Sequence, residues 1–360
     1  MTQQTFPISG RHPRVVINGL EGQLNVQPWE KQEISVSTDG PVEVLRQDGD
    51  TVTITGCKSD LELWIPSSIN RVFSSITTDI IGTALSRGAS IERAGNVELK
   101  EVGGSVTLKD TCGNAELTAI NEGAELSNVG GNLRAAHMPR LQARGGVGGN
   151  GTLLDIGQAE IDMIGGNLWV TSVGSATIST VGGDLDVEQV ESALNCRTVG
   201  GNCEVRNSAS AQVNVHNVGG NMFADGTLLA GLCNVGGNMK VQASFTAESR
   251  GRFHVGGNAS IVLPENANLT VHAIVGGSAS GPEAIYSHGG GFVDLVYGDG
   301  VARLDLTVGG NLRLSGTSTP RSVSGSDAWR NFGSDMANFG MEIGKMGRKI
   351  SREILKSLGE

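Results

Sequence analysis

The sequence predicts an all-β fold: a parallel β-solenoid (β-helix) of about 17–20 residues per coil, followed by a C-terminal amphipathic α-helix. Three observations point to it. Gly-Gly recurs with its first glycine at 103, 130, 148, 165, 182, 200, 219, 236, 256, 276 and 309, and from 130 to 276 the steps run from 17 to 20 residues. A fixed period of that size marks stacked repeats. Between the glycines lie short apolar–polar alternations, each too brief to bury a face alone. After residue 326 the apolar residues fall three and four apart, the spacing of one helix face.

Composition agrees. The 360 residues include 54 glycines but only 9 prolines, so the chain is glycine-rich without the composition of collagen. Hydrophobic residues make up 38% against 18% charged, enough apolar material for a core. A net charge of -10 argues against a nucleic-acid partner, which needs a positive footprint. The opening stretch, residues 1–16, has no basic segment leading into an apolar run, and no stretch of 18 apolar residues occurs. The five cysteines, Cys57, Cys112, Cys196, Cys203 and Cys233, are odd in number and contain no Cys-x-x-Cys. Together these features predict a cytoplasmic protein without disulfides, at most peripheral to the inner face of the membrane.

In chain order, residues 1–94 read as a strand-rich cap. "PRVVINGLEGQLNVQPWEKQEISVST" and "VEVLRQDGDTVTI" alternate between turn signals, as exposed antiparallel or edge strands do. Residues 95–314 read as the regular solenoid. There Leu168, Val170 and Val173 stand at i, i+2 and i+5, and Ala176, Ile178 and Val181 repeat the offsets. Leu185, Val187 and Val190 repeat them again, followed by Leu194, Cys196 and Val199. Each set is a short strand with a bend. The glycines at 165–166, 182–183, 200–201, 219–220 and 236–237 are expected at the sharp corner, where the backbone needs positive φ or close approach to the next layer. The structural-turn residues are therefore Gly165, Gly166, Asn167, Gly182, Gly183, Gly200, Gly201, Asn202, Gly219, Gly220, Asn221, Gly236, Gly237 and Asn238. Their asparagines would stack about 4.8 Å apart as a ladder. Ser105, Asp184 and Ser278 are expected to interrupt it.

No catalytic, cofactor or metal constellation emerges. The chain has no G-x-x-x-x-G-K-[ST], and the stretch from Gly289 to Gly300 holds too few aspartates for calcium-binding nonapeptide repeats, so it reads as an irregular coil. Carboxylates such as Asp155, Glu160, Asp162, Asp184 and Glu188 fall at different coil positions, and the six histidines do not line up. Cys196 and Cys203 read as core residues.

Residues 315–326 form a polar linker, and 327–360 the helix. Its apolar stripe is Trp329, Phe332, Met336, Phe339, Ile343, Met346, Ile350 and Ile354, with Lys349 and Arg352 among the cations on the opposite face. Glycines along one flank make it marginal alone. Three supports are open to it: the solenoid, a second copy, or an anionic membrane surface.

The order "INGLEGQLNVQPWEKQEISV", "RQDGDTVTI", "LWIPSS", then Gly-Asn half-coils resembles the bacterial putative-adhesin domain, an uncharacterised β-solenoid family, over roughly residues 10 to 315. The coil length is also similar to that of bactofilins, β-helices that polymerise end to end. The first resemblance implies a non-enzymatic scaffold or interaction role, with a protein partner or self-association. A bactofilin-like polymer is the alternative, and a polysaccharide-active β-helix enzyme a more distant one.

Overall fold

The computed structural model describes residues 2–10, 13–66, 78–208, 211–229, 231–245, 250–281 and 285–322. Among these the regular elements are strands, and long runs of them pair in parallel stacks consistent with a β-solenoid. The helix expected over 327–360, with Trp329 and the rest of its stripe, lies outside the described residues. The described chain falls into two compact units, one ending at Gly166 and one beginning at Asn167.

One coil is two strands joined at a corner. In the first unit, Val97–Val102 and Val106–Thr111 form one coil. The next coil is Ala115–Ile120 and Ala124–Val129, with Val97 opposite Ala115 and Val106 opposite Ala124. Alternation decides which side faces in: Val97, Leu99 and Val102 are buried, whereas Glu98 and Lys100 reach solvent and pair with each other at 2.5 Å. The second unit repeats the rule. Leu168, Val170, Val173, Ala176, Ile178 and Val181 are all buried, and Leu168 lies opposite Leu185 and Ile178 opposite Cys196 in parallel register.

At the corners the structure shows the second of the two reasons expected for glycine, close approach between layers, and not the first. Positive φ falls on non-glycine residues: Ala84, Glu101, Ala119, His137 and Asp155 in the first unit, Ser172, Gln189 and Asn207 in the second, with φ between 53° and 65°. Each immediately precedes a buried corner residue, as Gln189 precedes Val190. None of the recurring Gly-Gly pairs from 103 to 309 has positive φ. They are glycine because of crowding between layers. The Gly237 N–H donates to the Gly220 carbonyl at 2.8 Å, and a Cβ on Gly237 would stand 2.6 Å from Asn221 Oδ1 and 2.9 Å from that carbonyl. The phrase at Gly103 belongs to a different corner altogether. Gly103 donates to Leu85 and Ser105 accepts from Ala89, whereas the asparagine-bearing corner of the first unit runs through Asn96, Asn114, Asn132 and Asn150.

In each unit, part of the stack departs from chain order. In the first unit, Arg14–Leu20 pairs in parallel with Asp79–Leu85 on one side and with Thr51–Cys57 on the other. The first coil in the sequence is thus inside the stack. Val44–Asp48 then pairs antiparallel to Thr51–Cys57, and Glu33–Thr38 antiparallel to Leu61–Pro66, with Thr2–Pro7 added beyond it. In the second unit, Arg250–Val255 pairs with Ala302–Val308, and Leu269–Val275 lies on the far side of that strand. The final layer is again antiparallel: Gly291–Tyr297 pairs with Leu269–Val275 and takes Arg321–Ser322 on its other edge. The segment 289–300, expected as an irregular coil, is largely this covering strand. The reason is edge protection, since a bare parallel edge invites pairing with another chain.

Candidate functional site

Every layer of the second unit places one side-chain oxygen at the same corner. The backbone N–H of Asp184 donates to Asn167 Oδ1 at 2.8 Å, that of Asn202 to Asp184 Oδ1 at 2.7 Å, and that of Asn221 to Asn202 Oδ1 at 2.9 Å. Asn238, Asn258, Asn311 and Ser278 continue the column at 2.8–2.9 Å. This ladder differs from the expected one. Its main bond runs from backbone N–H to side-chain oxygen, so a carboxylate serves as well as a carboxamide, and Asp184 continues the ladder. Ser278 is its last member, a donor with no carboxamide to offer onward. Ser105 is in another column and interrupts nothing.

The amide hydrogens add a second thread. Nδ2 of Asn202, Asn221, Asn238 and Asn258 each donates to the oxygen of the preceding layer at 3.1–3.2 Å. A carboxamide oxygen has about two acceptor directions, and here the backbone N–H and the Nδ2 of the next layer together fill those of Asn202, Asn221 and Asn238, as they fill those of Asp184 Oδ1. A primary amide has two hydrogens, and the ladder uses one. From Asn202 to Asn238 the exposed edge of the ladder is therefore richer in donors than in acceptors, with a repeat of about 4.8 Å.

Beside that row runs a groove of about 840 Å³, lined by the corner residues Asn202, Asn221, Asn238, Asn258 and Asn311 and by the side chains two positions after each of them. Strand alternation turns those second positions outward: Glu204 lies opposite Phe223, Phe223 opposite Lys240, Lys240 opposite Ser260, and Ser260 opposite Arg313. Their buried neighbours Cys203, Met222, Met239, Ala259 and Leu312 hold the floor. Lys240 Nζ is 5.5 Å from the centre of the Phe223 ring. Glu204 is ion-paired to Arg206, which also lies 3.8 Å from Asp186. Lys240 and Arg313 have no carboxylate within ion-pair distance among the described residues. The corresponding column of the first unit, Glu98, Glu116, Arg134 and Thr152, is different: Lys100 pairs with Glu98, and Arg134 lies 3.9 Å from Glu116. One half of the second unit's groove is thus cationic and uncompensated, in a chain of net charge -10.

Sequence reasoning placed Asn202, Asn221 and Asn238 at the corner and missed Phe223, Lys240 and Arg313. The second residue after each ladder asparagine would have found the first two. Arg313 also requires the out-of-order stacking, which sets it against Ser260 53 residues earlier.

The remaining candidates are less organised. The His137 and Asp155 side chains meet at 3.0 Å, and those of His272 and Asp294 at 2.6 Å. Among the described residues, no group of three or more His, Cys, Asp or Glu is placed to hold a metal ion, and no helix is long and apolar enough to cross a membrane. Burial pushes the thiols of Cys196 and Cys233 up to about 12 and that of Cys203 well above its ordinary value, which keeps them neutral. They fill the core, as the sequence suggested. The trailing residues Trp329 to Ile354 lie outside the described residues.

No family model and no curated protein matches the chain. A solved structure described as "a putative cell adhesion protein" from Clostridium sporogenes is similar to it at 9% identity, covering 88% of this chain and 99% of that one. The TM-score is 0.14, at which the likeness carries no argument, and nothing in the comparisons supports a relation to bactofilins.

Proposed function

We propose that the chain is a non-enzymatic interaction protein whose stacked coils hold a fixed side groove out to a partner. The observation that carries this reading is the pairing of a donor-rich ladder with two uncompensated cations, Lys240 and Arg313, along one groove. Donors and cations fixed on paired strands are pre-organised, so binding orders few side chains. In each unit, antiparallel strands occupy edges that further coils would need, which favours a discrete module over an end-to-end polymer. The function therefore belongs to the flank of the stack.

Photo-cross-linking tests it. A benzophenone side chain at Phe223 should give a defined adduct in cells producing the protein, and the same probe at Glu98, the matching register position of the first unit, should not. Equal labelling at both positions, or none at either, would show that the groove is ordinary surface.

A further inference from the structure

We infer that the groove over Asn202–Asn311 takes a linear acidic glycan, a chain of sugars bearing carboxylates at intervals, laid across the strands and along the stack. The inference rests on the proposed reading of the groove as the interaction surface and names what fills it.

Four features select this ligand. The first is the hydrogen bonding of the ladder, in which the oxygens of Asn202, Asn221 and Asn238 are taken up between layers while the Nδ2 groups keep a hydrogen. A ligand rich in acceptors satisfies such a row. An extended peptide brings a fixed N–H for each carbonyl, whereas a sugar hydroxyl can rotate to accept and a carboxylate only accepts. The second is direction. The groove crosses the strands, so a peptide lying in it could not add to a sheet edge. The third is charge density. Lys240 and Arg313 lie two layers apart, with Ser260 between them, which is about 10 Å at the strand spacing. That suits a polymer with one carboxylate every second sugar, whereas a polyphosphate or single-stranded nucleic acid would bring several negative charges into the same length and leave most unneutralised. The fourth is the ring of Phe223 beside the Lys240 ammonium, an apolar plate next to a cation, which matches a pyranose whose C–H face adjoins its carboxylate.

The length also fits. Five layers from Asn202 to Asn311 span about 19 Å, room for a tetrasaccharide. Glu204, already engaged by Arg206, sits at one end of the groove, so the acidic sugars are expected over the Lys240–Arg313 half.

Calorimetric titration of the full-length protein with a hyaluronan tetrasaccharide, which carries a carboxylate on every second sugar, tests the inference, with neutral chitotetraose, inorganic polyphosphate and a poly-glutamate peptide as comparison ligands. The expected result is saturable binding of the hyaluronan tetrasaccharide, at least tenfold weaker binding of chitotetraose, and about a tenfold loss in Lys240→Gln/Arg313→Gln. Arg134→Gln, which removes an exposed cation from the first unit, should leave binding unchanged. Because all three side chains are exposed, the variants should keep the wild-type melting temperature, and Lys240→Arg should retain binding. If polyphosphate or poly-glutamate binds more tightly than the hyaluronan tetrasaccharide and is lost in the same double variant, the glycan assignment is overturned and the groove reading stands. If no ligand distinguishes the double variant from wild type, both are overturned.

Discussion

At the scale of single residues, glycine and non-glycine occupy the opposite positions from those that backbone preference suggests. Gln189 holds φ near 65° while Gly236 and Gly237 do not need a positive φ. The difference is what surrounds each. Gln189 points into solvent, so its strain is local, about 1–2 kcal/mol for a left-handed side-chain-bearing residue. Gly237 faces the layer below, where an added Cβ meets Asn221 Oδ1 at 2.6 Å and backbone at 2.9 Å. Gly237→Ala should therefore lower stability by about 1–3 kcal/mol through forced separation of layers. Gln189→Gly should raise it by about 0.5–1 kcal/mol, the relief of strain less the extra freedom of the unfolded chain. Chemical denaturation of the two variants checks the pair, and a larger loss for Gln189→Gly than for Gly237→Ala would reverse the assignment of roles. The alternation of buried and exposed residues was legible at this scale because it depends only on neighbours in sequence. Which of the two reasons calls for glycine was not, because that depends on atoms a whole coil away.

At the scale of elements, the coil was legible and its corners only partly so. Leu168, Val170 and Val173 announce a strand and a bend wherever they recur, and the structure buries all of them. The covering strands were harder to see, since Gly291–Tyr297 alternates as any repeat strand does and only its partner reveals that it runs antiparallel. One such covering element, the strand Thr2–Pro7, is tied down at its end by a single carboxylate in addition to its pairing with Glu33–Thr38. Ser9 N–H and Gly10 N–H each donate to Asp50 Oδ1 at 3.1 Å and hold the Asp50 carboxyl below its ordinary value, tying the end of Thr2–Pro7 to the turn after Val44–Asp48. Because the folded value is depressed, this contribution is present above the unfolded carboxylate value of about 3.9 and is lost as pH falls through the folded one. Amide exchange at Phe6 and Ile8 should be faster in Asp50→Ala than in wild type at neutral pH, and the two should converge in acid. A difference that persists at the lowest pH would mean that the carboxylate charge is not what holds the strand.

At the scale of the whole molecule, two features were beyond the sequence: the groove and the order of the layers. The order of the layers is what sets Arg313 beside Ser260 and so completes the cationic half of the groove. It can be tested directly at the outward column Arg252, Asp305, His272, which the register places in successive layers. Neighbouring layers bring Cα atoms to about 4.8 Å, within reach of a disulfide, and two layers to about 10 Å, beyond it. In a Cys112→Ser background, which removes the exposed native thiol, Arg252→Cys with Asp305→Cys should cross-link readily on mild oxidation. Arg252→Cys with His272→Cys should stay reduced, although these two positions are far closer in sequence. Mass spectrometry of the oxidised proteins distinguishes them. If the second pair cross-links and the first does not, the coils stack in chain order, Arg313 moves away from Ser260, and the groove loses one of the two cations on which its ligand depends.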